Sequence, residues 1–375
     1  MDPFNIQPIA GSSTTEVANL LLRWRAEQEG EASLPSTIGQ DRNDIERRLH
    51  WLLIENPLAP SAPHYGFCLR NASREMAGLL LCFPYAFVAE DRRLRGLCLS
   101  SFYVEPSARG QGRFLFERYL GDPLYDLFFG MTFNERSGAM FRKSGGSAVP
   151  NSDMQYILPL NLEVMLPMFL AGRTSSRIAA KFAQSLGQFV TSVLKPGREW
   201  RQKFSFEPCR DWQKLSELFH RHRPQRWITT DRSPEFLQWR YGPGSPHHSA
   251  EICLFRDQQG NEGWFVVAET TRGRHGEIRG ALLLDAVWPR DRIHFRQVLP
   301  AILGCKTVSH ADAVIFQPRP GVDYRECSRW IIPRRLPLPQ VFAAAYKDAE
   351  PLDVSLLDLV PADGDSSFRT TSMRT

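Results

Sequence analysis

The stretch Val104-Glu-Pro-Ser-Ala-Arg-Gly-Gln-Gly-Arg113 constrains this chain more than any other. Gly96 to Val104 is an apolar run that reads as a buried strand, and Pro106 breaks it. Arg109-Gly110-Gln111-Gly112-Arg113 reads as a flexible turn, and Phe114 to Leu120 has helical spacing. Strand, glycine turn and helix in succession aim several backbone N–H groups at one anion. The two glycines let a ligand approach the main chain with no Cβ in the way, and the two arginines suit phosphate. No Gly-Lys-Ser/Thr follows, so this is not a P-loop. The third glycine of a dinucleotide fingerprint is also missing at Arg113-Phe114-Leu115.

The elements around this stretch follow a definite order. Asn5 to Ile9 reads as a short strand, and Ser12 to Thr15 offers N-cap residues for a helix carrying Val17, Leu20, Leu21 and Trp24. Asp41 to Glu55 is a second helix, with Ile45, Leu49, Leu52 and Leu53 on one stripe and Pro57 as its stop. Strands follow at His64–Leu69, Met76–Val88 and Gly96–Val104, then the turn and a helix over Gly112–Leu120. Leu124 to Thr132 reads as the next strand. Asn134 to Gly146 is a capped helix ended by glycine, and Asp153 to Leu160 is the strand that closes the sheet.

With these residues in place, the chain resembles the GNAT superfamily of acyl-CoA-dependent N-acyltransferases. That signature is a strand ending in Val-x-Pro, then x-x-Arg-Gly-x-Gly-x-Gly/Ala opening a helix. Val104, Pro106, Arg109, Gly110 and Gly112 stand at those places, and Phe114 stands at the closing Gly/Ala. A second segment resembles Asn-x-x-Ala-x-x-Leu-Tyr-x-x-x-Gly-Phe: Asn134, Ser137, Met140 and Gly145 fit, and Phe141 replaces the tyrosine. The resemblance implies an acyl-CoA site built from Phe102, Val104, Arg109, Gly110, Gln111, Gly112, Arg113, Phe114, Asn134 and Ser137. Its pyrophosphate would lie on the turn and its pantetheine arm along Phe102 to Val104. In the family the tyrosine serves as general acid to the departing CoA thiolate, and Phe141 has no proton to give.

The second half repeats the order more loosely. Phe204–Phe206 reads as a strand and Asp211–His222 as a helix. Ser233–Tyr241 is a short helix, and Ile252–Phe255, Gly263–Ala268 and Gly280–Val287 are strands. Ile293–Leu303 is a helix and Ala313–Gln317 a strand, with Trp330–Ile332 and Val341–Ala345 to finish. The strand ending at Val287 runs into Trp288-Pro-Arg-Asp-Arg, with no glycine turn. The expected fold class is therefore α/β (α+β): two GNAT-like domains, each a mixed, mostly antiparallel twisted sheet flanked by helices. The expected boundaries are 1–160 for the acyl-CoA domain, 161–203 for a helical linker, 204–350 for a degenerate copy and 351–375 for a mostly disordered tail.

Composition excludes several classes. The 375 residues are 42% hydrophobic, enough for two domains. Their 46 basic and 41 acidic residues leave a net charge of +5, too small to argue for nucleic acid. The basic residues between Arg173 and Lys203 read as a solvated helix face. The seven cysteines are odd in number and mostly in apolar runs, so they read as core residues of a reducing compartment. His220, His222, His247 and His248 have no acidic or cysteine partner at ligand spacing, so no metal is expected. No apolar run is long enough for a membrane span, and the N-terminus has no signal-peptide pattern.

The leading expectation is a cytoplasmic N-acyltransferase using acetyl-CoA or a longer acyl-CoA. Its acceptor would be a small amine, such as an amino sugar, an amino acid derivative or a polyamine-like molecule, and a homodimer is allowed. For the general base, Glu90, Glu75 and Ser100 stand open as candidates; Tyr103 and Tyr156 are candidates for the missing acid. Trp227, Trp239 and Tyr241, beside Arg223, Arg226 and Arg240, read either as packing or as a ring-binding surface. Two other readings compete: a transferase of the aminoacyl-tRNA-dependent type, and a non-catalytic binding or assembly protein on the same fold, motivated by Phe114 and Phe141.

Overall fold

The computed structural model describes residues 4–28, 41–165, 204–272, 278–347 and 352–364. Most of the expected linker, 166–203, lies outside them, with its helix over Ile178–Leu194 and its basic residues; so does the tail beyond 364. The chain divides into two compact units. The first is Met1–Asp153, Gln225–His248 and Pro337–Thr375; the second is Met154–Pro224 and Ser249–Leu336. The expected boundary after residue 160 thus falls after Asp153, and two later segments return to the first unit.

The first unit opens with β1 (Asn5–Pro8), α1 (Thr14–Gln28) and α2 (Arg42–Leu49). The Asp41 carboxylate caps α2 by accepting from Asp44 N (2.9 Å). β2 (Gly66–Arg70), β3 (Met76–Ala89) and β4 (Arg92–Val104) form an antiparallel meander. α3 (Gly112–Leu120), β5 (Leu127–Gly130), α4 (Glu135–Lys143) and β6 (Ser147–Ala148) follow. β3 is buried almost end to end because helices cover both faces of the sheet, which is why it reads as a continuous apolar run. On one face Leu79, Leu81, Phe83, Tyr85 and Phe87 pack with Val17, Leu21, Ile45 and Leu49 of α1 and α2. On the other, Leu80, Cys82 and Leu97 pack with Leu115, Phe116 and Tyr119 of α3 and with Phe141 of α4. Each such side chain contributes about 1.5–3 kcal/mol.

β7 (Met154–Pro159) does not close this sheet as expected. It lies in the second unit, paired antiparallel with β13 (Ala313–Phe316) and β14 (Ile332–Arg335). The closing place in the first sheet goes to β15 (Phe342–Ala345), between β5 and β6, so the strand order is β1-β2-β3-β4-β5-β15-β6. The tail expectation is also corrected. Leu357–Asp358 (β16) pairs with β9 (Ile228–Thr230), and Ala362 and Asp363 are fully buried. Apolar Leu357, Leu359 and Val360 supply the burial that the polar residues after them lack.

The second sheet runs β14-β7-β13-β12-β11-β10-β8, with β8 at Phe204–Pro208, β10 at Glu251–Asp257, β11 at Glu262–Arg272 and β12 at Ile278–Val287. Its helices include α5 (Trp212–His222) and α7 (Phe295–Leu303); the intervening α6 (Pro234–Tyr241) belongs to the first unit. Trp264 Nε1 donates to Leu215 O of α5 (2.9 Å), fastening β11 beneath it. All seven cysteines are free and buried or half-buried. Among the described residues no helix is long and apolar enough to cross a membrane.

Candidate active site

The first sheet forks at one point. β4 and β5 run parallel and pair from Gly96/Leu127 to Leu99/Gly130, where the pairing stops. Among the described residues β4 continues to Val104 with only β3 beside it, so its outer edge from Ser100 onward has no neighbouring strand among them. A β-bulge marks the same place: Leu81 faces Ser101 and Cys82 faces Leu99, so Ser100 is the extra residue. An open strand edge that begins at a fork is able to pair with an extended, amide-containing arm.

The turn beyond β4 is more ordered than its glycines suggest. Pro106 to Gln111 forms a 3₁₀ helix that runs directly into α3. Pro106 at its first turn, with φ already fixed, accounts for the difference. Gly110 is exposed, and a Cβ there would meet nothing within 4 Å. Gly112 is buried; a Cβ there would lie 3.2 Å from Phe102 Cζ and 3.4 Å from Val104 Cγ2. So Gly112 brings the start of α3 against the open edge of β4. Arg109 and Arg113 are exposed at this corner, and Gln111 is half-buried. Phe114 is half-buried with the Arg113 guanidinium 4.5 Å above its ring.

α4 starts on the other side of the fork. Asn134 and Ser137 form a reciprocal capping box: Ser137 N donates to Asn134 Oδ1 (2.9 Å) and Asn134 N donates to Ser137 Oγ (3.0 Å). Phe102, Val104, Gln111, Gly112, Asn134 and Ser137 thus belong to the elements that border the fork. Phe141 is fully buried, its ring 5.0 Å from Phe133 and 5.9 Å from Phe116.

The catalytic candidates separate. Ser100 is at the fork, half-buried, and its Oγ accepts from Arg48 Nη2 (2.6 Å), which also donates to Ser101 Oγ (3.2 Å). Arg48 is 1% exposed. Reasoning from the sequence missed it; its signal was a lone arginine in register with the apolar stripe of α2. Tyr103 lies on the α1 side of β4, stacked on Trp24 (5.3 Å), with its hydroxyl donating to Glu27 Oε1 (2.7 Å). Burial, then the Glu27 carboxylate, pushes the Tyr103 phenol well up. Glu90 is exposed at the tip of the β3–β4 hairpin, with φ at 51°, about 30 Å of strand from Ser100. It is no part of the fork. Glu75 is exposed in the β2–β3 turn, bonded to Asn71. Tyr156 is corrected too: it sits on β7 in the second unit, its ring 5.0 Å from Tyr324.

The second unit has the same fork in altered form. β12 pairs with β13 up to Leu282/Ile315, and a bulge at Leu284 follows. There Arg319 Nη1 bonds Ala286 O beyond the fork, so a side chain takes up that strand edge. The described residues also bring Glu251, Cys253 and Cys305 together, with the two sulfurs 3.6 Å apart. The Glu251 carboxylate is spent on Lys306 N (3.2 Å) and Thr307 N (2.9 Å).

No protein-family model matches the sequence, and no curated protein matches it. Solved structures do. A probable N-acyltransferase from Enterococcus faecalis V583 superposes with a TM-score of 0.57 at 10% identity, over 92% of this chain and 72% of that one. A GCN5-related N-acetyltransferase from Anabaena variabilis gives 0.54 at 11% identity, over 92% and 73%. The N-myristoyltransferase of Saccharomyces cerevisiae, solved with myristoyl-CoA and inhibitors, gives 0.53 at 10% identity, over 99% and 86%. The chain has the two-domain fold of the GCN5-related N-acyltransferases.

Proposed function

We propose that the first unit is an acyl-CoA-dependent N-acyltransferase, with acetyl-CoA or a longer acyl-CoA as donor and a small amine as acceptor. The observation that carries this is the open edge of β4. It begins at the Leu99/Gly130 fork and ends at Val104 against Gly112, the first residue of α3. The arm of an acyl-CoA would run along Phe102 to Val104, with its phosphates near Arg109, Gly110, Gln111, Gly112 and Arg113. Asn134 and Ser137 would border its thioester end. N–H groups fixed along a strand edge polarise a carbonyl without reorganising, and the amine attacks once it has lost its proton. The second unit would act as a degenerate copy without an acyl-CoA arm, since Arg319 occupies its own strand edge. Free, buried cysteines fit a reducing compartment such as the cytoplasm.

The test is calorimetric titration of acetyl-CoA into the wild type and Gly112→Trp. The indole would force the start of α3 away from β4, and binding present in the wild type is expected to vanish. A folded wild type that binds no acyl-CoA of any length defeats the reading. One observation favours a second reading, a binding protein without turnover: Phe141 fills the general-acid position from inside a closed aromatic cluster. Acyl-CoA binding with no thiol release across a panel of amines would support it.

A further inference from the structure

Three metal-ligating side chains meet in the second unit. Glu251 opens β10, and Cys253 follows two residues later on the same face of the strand. Cys305 comes from the corner between α7 and the short α8 (Lys306–Ser309). The ligand atoms of the three lie within 4.8 Å of one another, although Cys253 and Cys305 are 52 residues apart in the chain. The two sulfurs are 3.6 Å apart, well beyond the ~2.05 Å of a disulfide. Two thiolates on one tetrahedral zinc, each ~2.3 Å from it, stand about 3.8 Å from each other. Both cysteines are fully buried, in the same apolar cluster as Val298, Ala301 and Ile302. Glu251 is half-buried; each of its oxygens accepts one backbone N–H, from Lys306 and Thr307, and keeps a second lone pair. Those two N–H groups fix the direction of the carboxylate, as outer partners do for a ligating carboxylate. A donor set of two sulfurs and one oxygen favours zinc over calcium or magnesium.

We propose that Glu251, Cys253 and Cys305 bind one thiophilic divalent cation of the zinc class, which ties β10 to the corner between α7 and α8. This is independent of the acyltransferase reading. Three protein ligands leave a fourth position, which water fills from the side of the half-buried Glu251. On binding, two S–H bonds break, two metal–sulfur bonds and one metal–oxygen bond form, and two protons pass to solvent. Two thiolates and one carboxylate against a dication leave the centre with one net negative charge.

The experiment uses the full chain, stripped of metal with a chelator and then titrated with Zn²⁺ in competition with a colorimetric chelator. One Zn²⁺ per chain is expected, with two protons released. Co²⁺ in its place should give the intense ultraviolet band of thiolate-to-cobalt charge transfer. Losing an outer partner alone weakens metal binding about 10–100-fold, so Cys253→Ser and Cys305→Ser should each weaken it by more than about 100-fold. Glu251→Gln should weaken it at least about tenfold and keep the Co²⁺ band. The double variant Cys209→Ser with Cys327→Ser, which removes the two half-buried thiols, should bind as the wild type does. Zn²⁺ binding that survives Cys253→Ser, or Co²⁺ bound without the thiolate band, overturns the proposal. So does a folded wild type that takes up no Zn²⁺. The Co²⁺ band is read on the wild type, so it decides the matter even if the serine variants fail to fold.

Discussion

Arg232 and Asp363 form an ion pair in the first unit, with Nη2 2.7 Å from Oδ1 and side chains 4% and 0% exposed. The pair fastens the C-terminal segment, and Arg240 bonds the carbonyl of the next residue, Gly364. Gly364 in turn lies on Met131, where a Cβ would be 2.9 Å from Met131 Cβ; Met131 directly follows the last paired residue of β5. Removing one partner takes the opposite charge away from the other, which stays buried. Asp363→Ala should therefore cost about 3–5 kcal/mol in urea denaturation. The apolar pair Arg232→Met with Asp363→Leu should cost much less. Equal losses for the single and double variants would count against this account.

Phe141→Tyr introduces the tyrosine of the resembled signature but should not introduce an acid. The ring is fully buried between Phe116, Phe133 and Phe342, so the added hydroxyl enters an apolar cluster. A loss of about 1–3 kcal/mol is expected, with no gain in thiol release. Faster turnover in the tyrosine variant would mean that the ring faces the reacting sulfur.

His247 carries a pH dependence. It is fully buried, and burial first, then the Arg240 charge, holds its pKa well below the ordinary 6.5. In the unfolded chain it takes up a proton as pH falls through 6.5, while in the folded chain it stays neutral. Its contribution to stability is thus full above that value and declines below it, by up to about 1.4 kcal/mol per pH unit. Denaturation midpoints at pH 7 and pH 5 should differ less in His247→Phe than in the wild type. Parallel pH profiles would contradict this.

The capping box of α4 should be worth about 1 kcal/mol, because Asn134→Ala removes the side-chain acceptor of the Ser137 N–H, while the backbone N–H of residue 134 keeps Ser137 Oγ. Thermal denaturation reads this directly. If Asn134 also contacts an acyl-CoA arm, the same variant weakens acetyl-CoA binding beyond the stability loss, whereas a pure cap leaves affinity unchanged.

Local elements were legible where local physics decides them. The helix read over Gly112–Leu120 occurs with those bounds, and Asn134 caps its helix as its side chain suggests. The strand read over Leu124–Thr132 is shorter, Leu127–Gly130, because its pairing with β4 ends at the fork. The glycines of Arg109–Arg113 suggest a flexible turn, yet the proline before it sets a helical start. Of the catalytic candidates, Glu90 lies at the hairpin tip away from the fork, and Tyr156 belongs to the second unit.

The sequence by itself determined the order of strands and helices, the buried central strand, the Asn134 cap, and the glycine that lets α3 approach β4. These depend on the periodicity, propensity and side-chain size of neighbouring residues. Only the tertiary structure decided which sheet each strand joins. Met154–Pro159 and Phe342–Ala345 have strand patterns that either sheet would accept, and each pairs away from its neighbours in the chain. It also decided that Arg48 meets Ser100 at the bulge, 52 residues along the chain. Backbone pairing and burial are satisfied by any partner of suitable register, so the choice rests on long-range packing that no local pattern encodes.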